Sequence, residues 1–301
     1  MAGKKDIKNR IRAVQNTQKV TKSMKLISTI KLKQLQNLSN ATRSYNEQIH
    51  AILFKTLEKS QFLFMDASEL PAIMRPRKTV NNVCVIINSS DRGLCGPYNS
   101  QLLKMAQAHI TELTKEGKKV SLILLGNKAI SFARKNLSSC NVLQSFGNLP
   151  MLPENEFARQ IWETIQTEYT ENRIDSVEIL YSRFVSMIKS QVTLSTLLPL
   201  SLDQQLPQEQ IKSKNEALIH IEPSPISVLN ALLPLYCQNQ IYQAMVLGRA
   251  SELANRVNAM GAATDNAKVL IEHLTLSFNK ARQAAITQEI SEIVAGAESV
   301  R

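Results

Sequence analysis

Apolar residues recur at the spacing of one helix face near the start of the chain. Residues 4–72 contain one proline, Pro71, and no glycine, so nothing forces a helix to break before that proline. Up to Ile27 the steps are three or four, with one of six from Val14 to Val20. This spacing predicts one buried face with Ile7, Ile11, Val14, Val20, Met24, Ile27, Leu35 and Leu38. Lys, Arg, Gln and Asn occupy the other faces, and the predicted apolar stripe is therefore narrow.

A stricter pattern follows Pro234, the last proline of the chain. Steps of four and three connect Leu253, Val257, Met260, Thr264, Ala267, Ile271, Leu274, Phe278, Ala281 and Ala285. Such a heptad seam, with one polar position at Thr264, favours a coiled coil over an ordinary amphipathic surface helix. Two long helices with narrow stripes can bury these stripes against each other, so we predict an antiparallel coiled coil of the two ends of the chain.

The middle of the chain reads as an α/β domain. Short apolar, β-branched runs predict strands at Val83–Asn88, Val120–Leu125, Val177–Tyr181 and Val192–Leu198. Amphipathic segments of helical length lie between them, at Ser100–Glu116, Lys128–Lys135 and Glu154–Asn172. This alternation favours a mostly parallel, Rossmann-like sheet with helices on its faces, and the polar residues 203–216 predict a surface loop or hairpin. The predicted segments are 1–72 and 223–301 for the two long helices and 73–222 for the α/β domain.

Charge is concentrated at one end of the chain. The 301 residues carry 36 Lys and Arg against 25 Asp and Glu, a net charge of +11, and ten basic residues with one acid lie in residues 1–35. A basic helix of this kind can meet nucleic acid, anionic lipid or an acidic protein surface. No apolar run reaches the roughly 18–20 residues of a membrane span, and the polar start lacks the apolar core of a secretory signal, so we expect a cytosolic protein.

The segment SDRGLCGPYN, residues 90–99, joins the first predicted strand to a helix. A glycine-containing turn at this place can bind phosphate, because backbone N–H groups and a helix dipole converge there. It matches neither GxGxxG nor GxxxxGK[ST], and Pro97 lacks one N–H. Cys95 beside Arg92 offers an activated thiolate as a second possibility. The interpretation we favour is structural, with glycines that form the turn and with Asp91 and Arg92 bracing it.

Other reactive side chains are dispersed along the sequence. The four cysteines and four histidines show no metal-ligand or catalytic spacing, which favours reduced thiols and predicts no bound metal or cofactor. Trp162 reads as a core residue. We therefore expect no complete active site on this chain.

The last residues continue the helical pattern beyond the seam. Four of them would expose apolar surface if this end projects, namely Ile286, Ile290, Ile293 and Val294, and such surface usually marks a binding site. The alternative is a frayed terminal tail.

Four motifs in one order resemble the gamma subunits of F-type ATP synthases of the bacterial type. They are IKNRIRAVQNTQKVTKSMKLI at residues 7–27, SDRGLCG at 90–96, Glu222-Pro223 with ALLP at 231–234, and NKARQAAITQEISEIVAGA at 279–297. The resemblance implies a non-catalytic central rotor stalk whose coiled coil turns inside a ring of alternating alpha and beta subunits, where ATP is made or hydrolysed. It also implies that the α/β domain contacts the epsilon subunit and the c-ring of the membrane sector, so that proton flow is coupled to catalysis.

The same resemblance assigns contacts with the ring. It places them at Met24, Arg256, Gln283, Thr287 and Glu289, with Lys25 standing where the family often has an acidic residue. The basic residues Lys4, Lys8, Arg10 and Arg12 are expected to face acidic loops of the ring. The implied location is peripheral, on the cytoplasmic face of the bacterial inner membrane. Two alternatives are a basic coiled-coil protein that binds nucleic acid and an α/β enzyme that uses the SDRGLCG turn.

Overall fold

A computed structural model describes residues 4–59, 71–75, 77, 79–200 and 221–298 of the chain. Its helices are α1 (Lys4–Lys59), α2 (Tyr98–Lys115), α3 (Asn127–Asn136), α4 (Asn155–Thr170) and α5 (Pro225–Glu298), with a 3-10 turn at Ala72–Met74. Its strands are β1 (Asn82–Asn88), β2 (Lys119–Leu125), β3 (Asn141–Phe146), β4 (Ser176–Phe184) and β5 (Ser190–Leu198). The predicted loop at 203–216 and residues 60–70 of the predicted first helix lie outside the described residues.

The five strands form one sheet in the order β3-β2-β1-β4-β5. The first four are parallel, with Val85 paired to both Leu122 and Glu178, and β5 runs antiparallel to β4. The predicted mostly parallel sheet is confirmed, and all four predicted strands are present. β3 was not predicted.

The sheet is covered on both faces, which explains why β1 and β2 are continuous apolar runs. One face packs on α2 and α3 through residues that include Val85, Leu102 and Leu124. The other face packs on α4 and on parts of the two long helices, and its core includes Trp162, Leu35 and Leu233. Trp162 is fully buried, as predicted for a core residue.

By packing, the chain divides into two units. The first, here called the helical-pair unit, is Met1–Ile30 with Arg256–Arg301, and the second, here called the sheet unit, is Lys31–Asn255. This division cuts across both long helices, because each helix contributes one part to each unit. The three predicted sequence segments stay a prediction.

The helical-pair unit contains the predicted seam of α5. From residue 268 to residue 285 every seam position is half-buried and every other position is exposed, in accordance with a heptad pattern. The hydroxyl oxygens of Thr21 and Thr264 lie 2.8 Å apart, and a Cβ at Gly261 would lie 3.5 Å from Lys25 Nζ. Thr21 thus faces Thr264, and Lys25, which comes later on α1, faces Gly261, which comes earlier on α5. The two helices are therefore antiparallel.

The predicted stripe on α1 is partly wrong. Val20 and Ile27 are exposed by 57% and 51%, whereas Thr21 and Ser28 are buried in their place. The reason is that a repeat of seven from Ile7 through Val14 leads to Thr21 and Ser28, and their small side chains allow close approach of the helices. Thr21 also satisfies its hydroxyl with Thr264 and with the carbonyl of Gln18.

Within the described part of the chain, no helix is long and apolar enough to span a membrane.

Candidate functional site

The turn after β1 is organised by the carboxylate of Asp91. Its Oδ1 accepts the backbone N–H groups of Asn127 at 3.0 Å and Asn148 at 2.8 Å, and its Oδ2 accepts that of Leu149 at 3.0 Å. These three residues follow the ends of β2 and β3. One side chain therefore ties together the carboxyl ends of three neighbouring strands.

The polar groups of the turn form hydrogen bonds with one another and with the neighbouring elements. The N–H of Ser89 donates to the carbonyl of Leu125 at 2.9 Å, and the N–H of Ser90 donates to Asn99 Oδ1 at 3.3 Å. Ser89 Oγ accepts the N–H of Ala129 at 2.8 Å, within the first turn of α3. Because the N–H groups of Ser89 and Ser90 already have protein partners, this geometry supports the structural interpretation of the turn.

Arg92 was predicted to brace the turn with Asp91, but the arginine side chain that lies near Asp91 is Arg249. The side chain of Arg92 is exposed, and its carbonyl accepts the hydroxyl of Ser90 at 2.8 Å. The cation near Asp91 is Arg249 of α5, whose Nη2 lies 3.9 Å from Asp91 Oδ2. Sequence reasoning could not find this residue, since 158 positions separate it from the turn.

The thiols are unsuited to nucleophilic chemistry. Cys95 is buried, and its sulfur accepts the amide of Asn99 at 3.1 Å. Burial raises the pKa of Cys84 to about 12, and it also raises the pKa of Cys237. Among the described residues, which include all four cysteines, no disulfide forms and no cluster of metal-ligating side chains exists.

Helix α5 occupies the place where doubly wound sheets bind ligands, the crevice at the carboxyl ends of β1 and β4. Asn88 Nδ2 donates to the carbonyl of Ala244 at 2.8 Å, and the hydroxyls of Ser182 and Ser251 lie 2.7 Å apart. The cavity beside Asn88 and Arg249 measures about 20 Å³, and another beside Tyr181 and Tyr236 about 40 Å³. Both are far below the roughly 300 Å³ of a small-molecule pocket.

The helical-pair unit carries the residues predicted to contact a surrounding ring. Lys25, Gln283, Thr287 and Glu289 are exposed, and Met24 and Arg256 are half-buried. Thr287 Oγ1 donates to the carbonyl of Gln283 at 3.0 Å, one turn earlier on α5. The four residues of the predicted apolar tip are all exposed: Ile286, Ile290, Ile293 and Val294. Whether these residues contact a partner stays a prediction.

The basic residues of α1 face solvent. Lys8, Arg10 and Arg12 are exposed, while the side chain of Lys4 lies outside the described part of the chain. The structure also exposes apolar residues that the sequence reasoning missed, namely Val20, Leu26, Ile27 and Ile30 on α1 and Val269, Leu270 and Leu276 on α5. For all of these residues except Val20 and Ile27, the available signal was an apolar residue at a position outside the predicted buried faces. Apolar surface of this kind is typical of a binding surface for another protein.

A doubly wound domain whose ligand crevice is occupied by its own helix, together with a helical pair rich in exposed apolar residues, defines a subunit of a protein assembly. A family model described as ATP synthase matches residues 3–300. Curated ATP synthase gamma chains match at full length: that of Acaryochloris marina is 35% identical over 100% of both chains, and that of Gloeobacter violaceus is 36% identical over 99% of this chain and 100% of its own. The chain belongs to the ATP synthase gamma chain family, and the resemblance noted from its motifs is confirmed.

Solved structures show the same fold. The central stalk and c-ring structure of the Tetrahymena thermophila mitochondrial ATP synthase contains a chain that is 24% identical, with a TM-score of 0.58, and the match covers 81% of this chain and 99% of that chain. A chain of the Euglena gracilis mitochondrial ATP synthase, in a structure of OSCP, F1 and c-ring, is 16% identical with a TM-score of 0.54 and 92% and 95% coverage. None of these matches is a nucleic-acid-binding protein.

Proposed function

We propose that this chain is the central rotor stalk subunit of an F-type ATP synthase and couples proton flow in the membrane sector to the catalytic cycle of the beta subunits. The observation that carries the proposal is full-length similarity to gamma chains in a molecule whose helical-pair unit exposes apolar and basic residues. Its partners belong to the F1 sector and to the c-ring, and the chain is a peripheral subunit of a membrane-associated complex. The specific partners proposed are the alpha, beta and epsilon subunits, at the cytoplasmic face of a bacterial inner membrane.

The helical pair is asymmetric around its axis, and this asymmetry supplies a mechanism. At the level of Lys8, Arg10 and Arg12 the exposed residues of α1 are basic, whereas the exposed residues of α5 at that level include Glu272 and Leu276. Each catalytic interface of a surrounding ring therefore meets a different surface at any moment. A rotor that turns would bias each beta subunit in succession, because differential contacts shift a conformational equilibrium.

Two kinds of contact are proposed along the helical pair. The apolar tip, Ile286, Ile290, Ile293 and Val294, turns within an apolar sleeve, since dispersion and hydrophobic contacts have no direction. A second set acts as catches that form and break at particular angles, since hydrogen bonds and ion pairs are directional. It consists of the polar residues Lys25, Arg256, Gln283, Thr287 and Glu289 together with the apolar Met24 beside Lys25.

Co-purification tests the proposal. The tagged full-length chain, expressed in its own cells and recovered under mild conditions, should bring down the alpha and beta subunits together with ATP hydrolysis activity. Recovery of the chain without those subunits, while a tagged beta subunit from the same cells recovers the remainder of the F1 sector, would contradict the proposal.

The basic segment has its own test. Replacement of Lys4, Lys8, Arg10 and Arg12 by Gln should reduce proton pumping in the reconstituted complex, because attraction to acidic loops of the ring is lost. Each replacement should change the stability of the isolated chain by no more than about 0.5 kcal/mol, as is usual for a surface substitution. A matched control exchanges Lys for Arg and Arg for Lys at the same four positions, which keeps the charge. Equal pumping by the Gln variant and the control would remove the basic segment from the mechanism.

A further inference from the structure

Arg249 lies at the point where α5 crosses the carboxyl edge of the sheet. It follows Gly248, where an added Cβ would collide with the side-chain amide of Asn88 at the end of β1. Two hydrogen bonds hold the helix on either side of it, from Asn88 to the carbonyl of Ala244 and between Ser182 and Ser251. One turn further, Asn255 Nδ2 donates to Ser190 Oγ at 3.0 Å, at the start of β5. The contact between α5 and the sheet edge therefore has hydrogen bonds at three levels, in addition to buried apolar residues such as Met245 and Val246.

The guanidinium of Arg249 bridges the helix and a loop. Its Nη1 donates to Glu252 Oε2 at 2.7 Å, and its Nη2 donates to the carbonyls of Leu149 and Pro150 at 3.2 and 3.4 Å. The side chains of Arg249, Asp91 and Glu252 are exposed by only 17%, 10% and 3%. A guanidinium presents its donors in a fixed planar fork, so several partners in different directions determine its orientation.

The groups that Arg249 contacts are themselves fixed. Asp91 holds the N–H groups of Asn127, Asn148 and Leu149, so the loops after β2 and β3 move with the sheet. Glu252 lies on the same helix as Arg249, one turn away. The arginine thus connects a rigid sheet edge to a rigid helix, and an apolar contact alone would not fix the angle between them, since it lacks direction.

We propose that Arg249 is a positioning residue of the rotor, which fixes the angle of α5 on the carboxyl edge of the sheet so that torque passes between the sheet and this helix without slippage. The inference rests on the proposed rotor function. It assigns a coupling role to the crevice that binds ligands in other doubly wound sheets. We call the contact of α5 with the carboxyl edge of the sheet around Arg249 the joint, and the turn at Asp91 supports it.

The first experiment compares ATP hydrolysis with proton pumping in the complete complex reconstituted into liposomes. Arg249→Leu keeps the apolar stem and removes the fork, and we expect ATP hydrolysis within about twofold of wild type but at least a threefold loss of protons pumped per ATP. Arg249→Lys keeps the charge without the planar fork, and we expect an intermediate ratio. A purely structural role would lower the yield of complex and leave the ratio unchanged, and an unchanged ratio in Arg249→Leu would overturn the inference.

The second experiment restores the joint covalently. Ser182→Cys with Ser251→Cys places two thiols where hydroxyl oxygens now lie 2.7 Å apart, a spacing that suits a disulfide after small adjustments. In the Arg249→Leu background, oxidation should return the pumping ratio to within about 1.5-fold of wild type, and reductant should abolish the gain. Disulfide formation without recovery of the ratio would contradict the inference.

If the Arg249→Leu variant does not assemble, the same two cysteines in a chain that keeps Arg249 still test the inference. A joint that stays closed during rotation tolerates the disulfide, so hydrolysis and pumping should be the same in oxidised and reduced complexes. A loss of activity that reductant reverses would show that α5 must move on the sheet, and would overturn the inference. Failure of the rotor function itself is distinguishable, because the wild-type chain would then not recover the ring subunits at all.

Discussion

Two glycines of α5 with opposite surroundings give a sharp test of the packing. A Cβ at Gly248 would collide with Asn88 Nδ2, whose hydrogen bond to Ala244 is buried, whereas a Cβ at Gly261 would lie at 3.5 Å from the flexible end of Lys25. Alanine at either position gains about 1 kcal/mol of helix propensity. The two substitutions therefore share the same local benefit and differ only in what the methyl group meets.

The two substitutions are expected to change the free energy of unfolding in opposite directions. Gly248→Ala must displace the Asn88 amide, which costs about 1–3 kcal/mol for the unsatisfied buried group and about 1–3 kcal/mol for overpacking. After the gain in helix propensity is subtracted, the net loss is about 1–5 kcal/mol. Gly261→Ala should stabilise the chain by about 0.5–1 kcal/mol, because its methyl group makes an ordinary van der Waals contact.

Urea unfolding of the full-length chain, followed by circular dichroism, measures both changes, and hydrogen exchange reports the opening of α5 around each position. Asn88→Ala should reduce the cost of Gly248→Ala by at least 1 kcal/mol in a double-mutant cycle, since the colliding amide is gone. If Gly248→Ala stabilises the chain as much as Gly261→Ala does, the described contact between Asn88 and α5 is wrong.

Three further predictions follow from single contacts. Thr264→Val should weaken protection from hydrogen exchange in the helical-pair unit by about 1 kcal/mol, because the hydrogen bond between the two threonines is lost. The additional change Thr21→Val should recover part of this loss, because no hydroxyl then faces an apolar side chain across the seam; equal losses in both variants would contradict the described packing of Thr21 on Thr264. Burial lowers the pKa of His50 below its ordinary 6.5, so the unfolded chain binds the proton more readily. The stability contributed by neutral His50 is thus complete above pH 6.5 and is lost as the pH falls, and the difference in urea midpoint between pH 7.5 and 5.5 should be larger in wild type than in His50→Phe. Because burial raises the pKa of Cys84 to about 12, iodoacetamide at pH 8 should label the more accessible Cys140 first, with Cys84 reacting only after unfolding; mass spectrometry showing the reverse order would refute this.

The elements with strong periodicity were predictable from the sequence. The α5 seam and the β-branched runs of β1 and β2 are visible in the sequence because their apolar residues follow the period of the element and lie on its less exposed positions. β3, with the sequence NVLQSF, was not predictable in this way because it is an edge strand that remains partly exposed and has no continuous apolar run. Its identity as a strand depends on pairing with β2, which is a tertiary interaction.

The buried face of α1 could be predicted only in part from the sequence, for a different reason. Val20 and Ile27 are the apolar residues nearest to the correct positions, but the heptad continues through Thr21 and Ser28. A polar residue is acceptable in the seam when the opposite helix supplies its partner, and Thr264 does so for Thr21. The sequence of one helix cannot show which residue lies opposite.

At the candidate site, the structural role of Asp91 was predicted and its partner was not. A turn of small and polar residues after a strand indicates internal hydrogen bonding, and the three N–H groups held by Asp91 agree with that interpretation. Arg249 reaches the turn only because α5 crosses the sheet edge. Long-range placement of this kind follows from the fold and has no local signal.

Observation of rotation tests the central claim most directly. The ring subunits of the complete F1 sector would be fixed to a surface, and a visible probe would be attached to the exposed position Lys135→Cys in a Cys140→Ser background. Addition of ATP should make the probe rotate continuously in one direction relative to the fixed ring. A probe that stays stationary on complexes that hydrolyse ATP would contradict the assignment of this chain as the rotor.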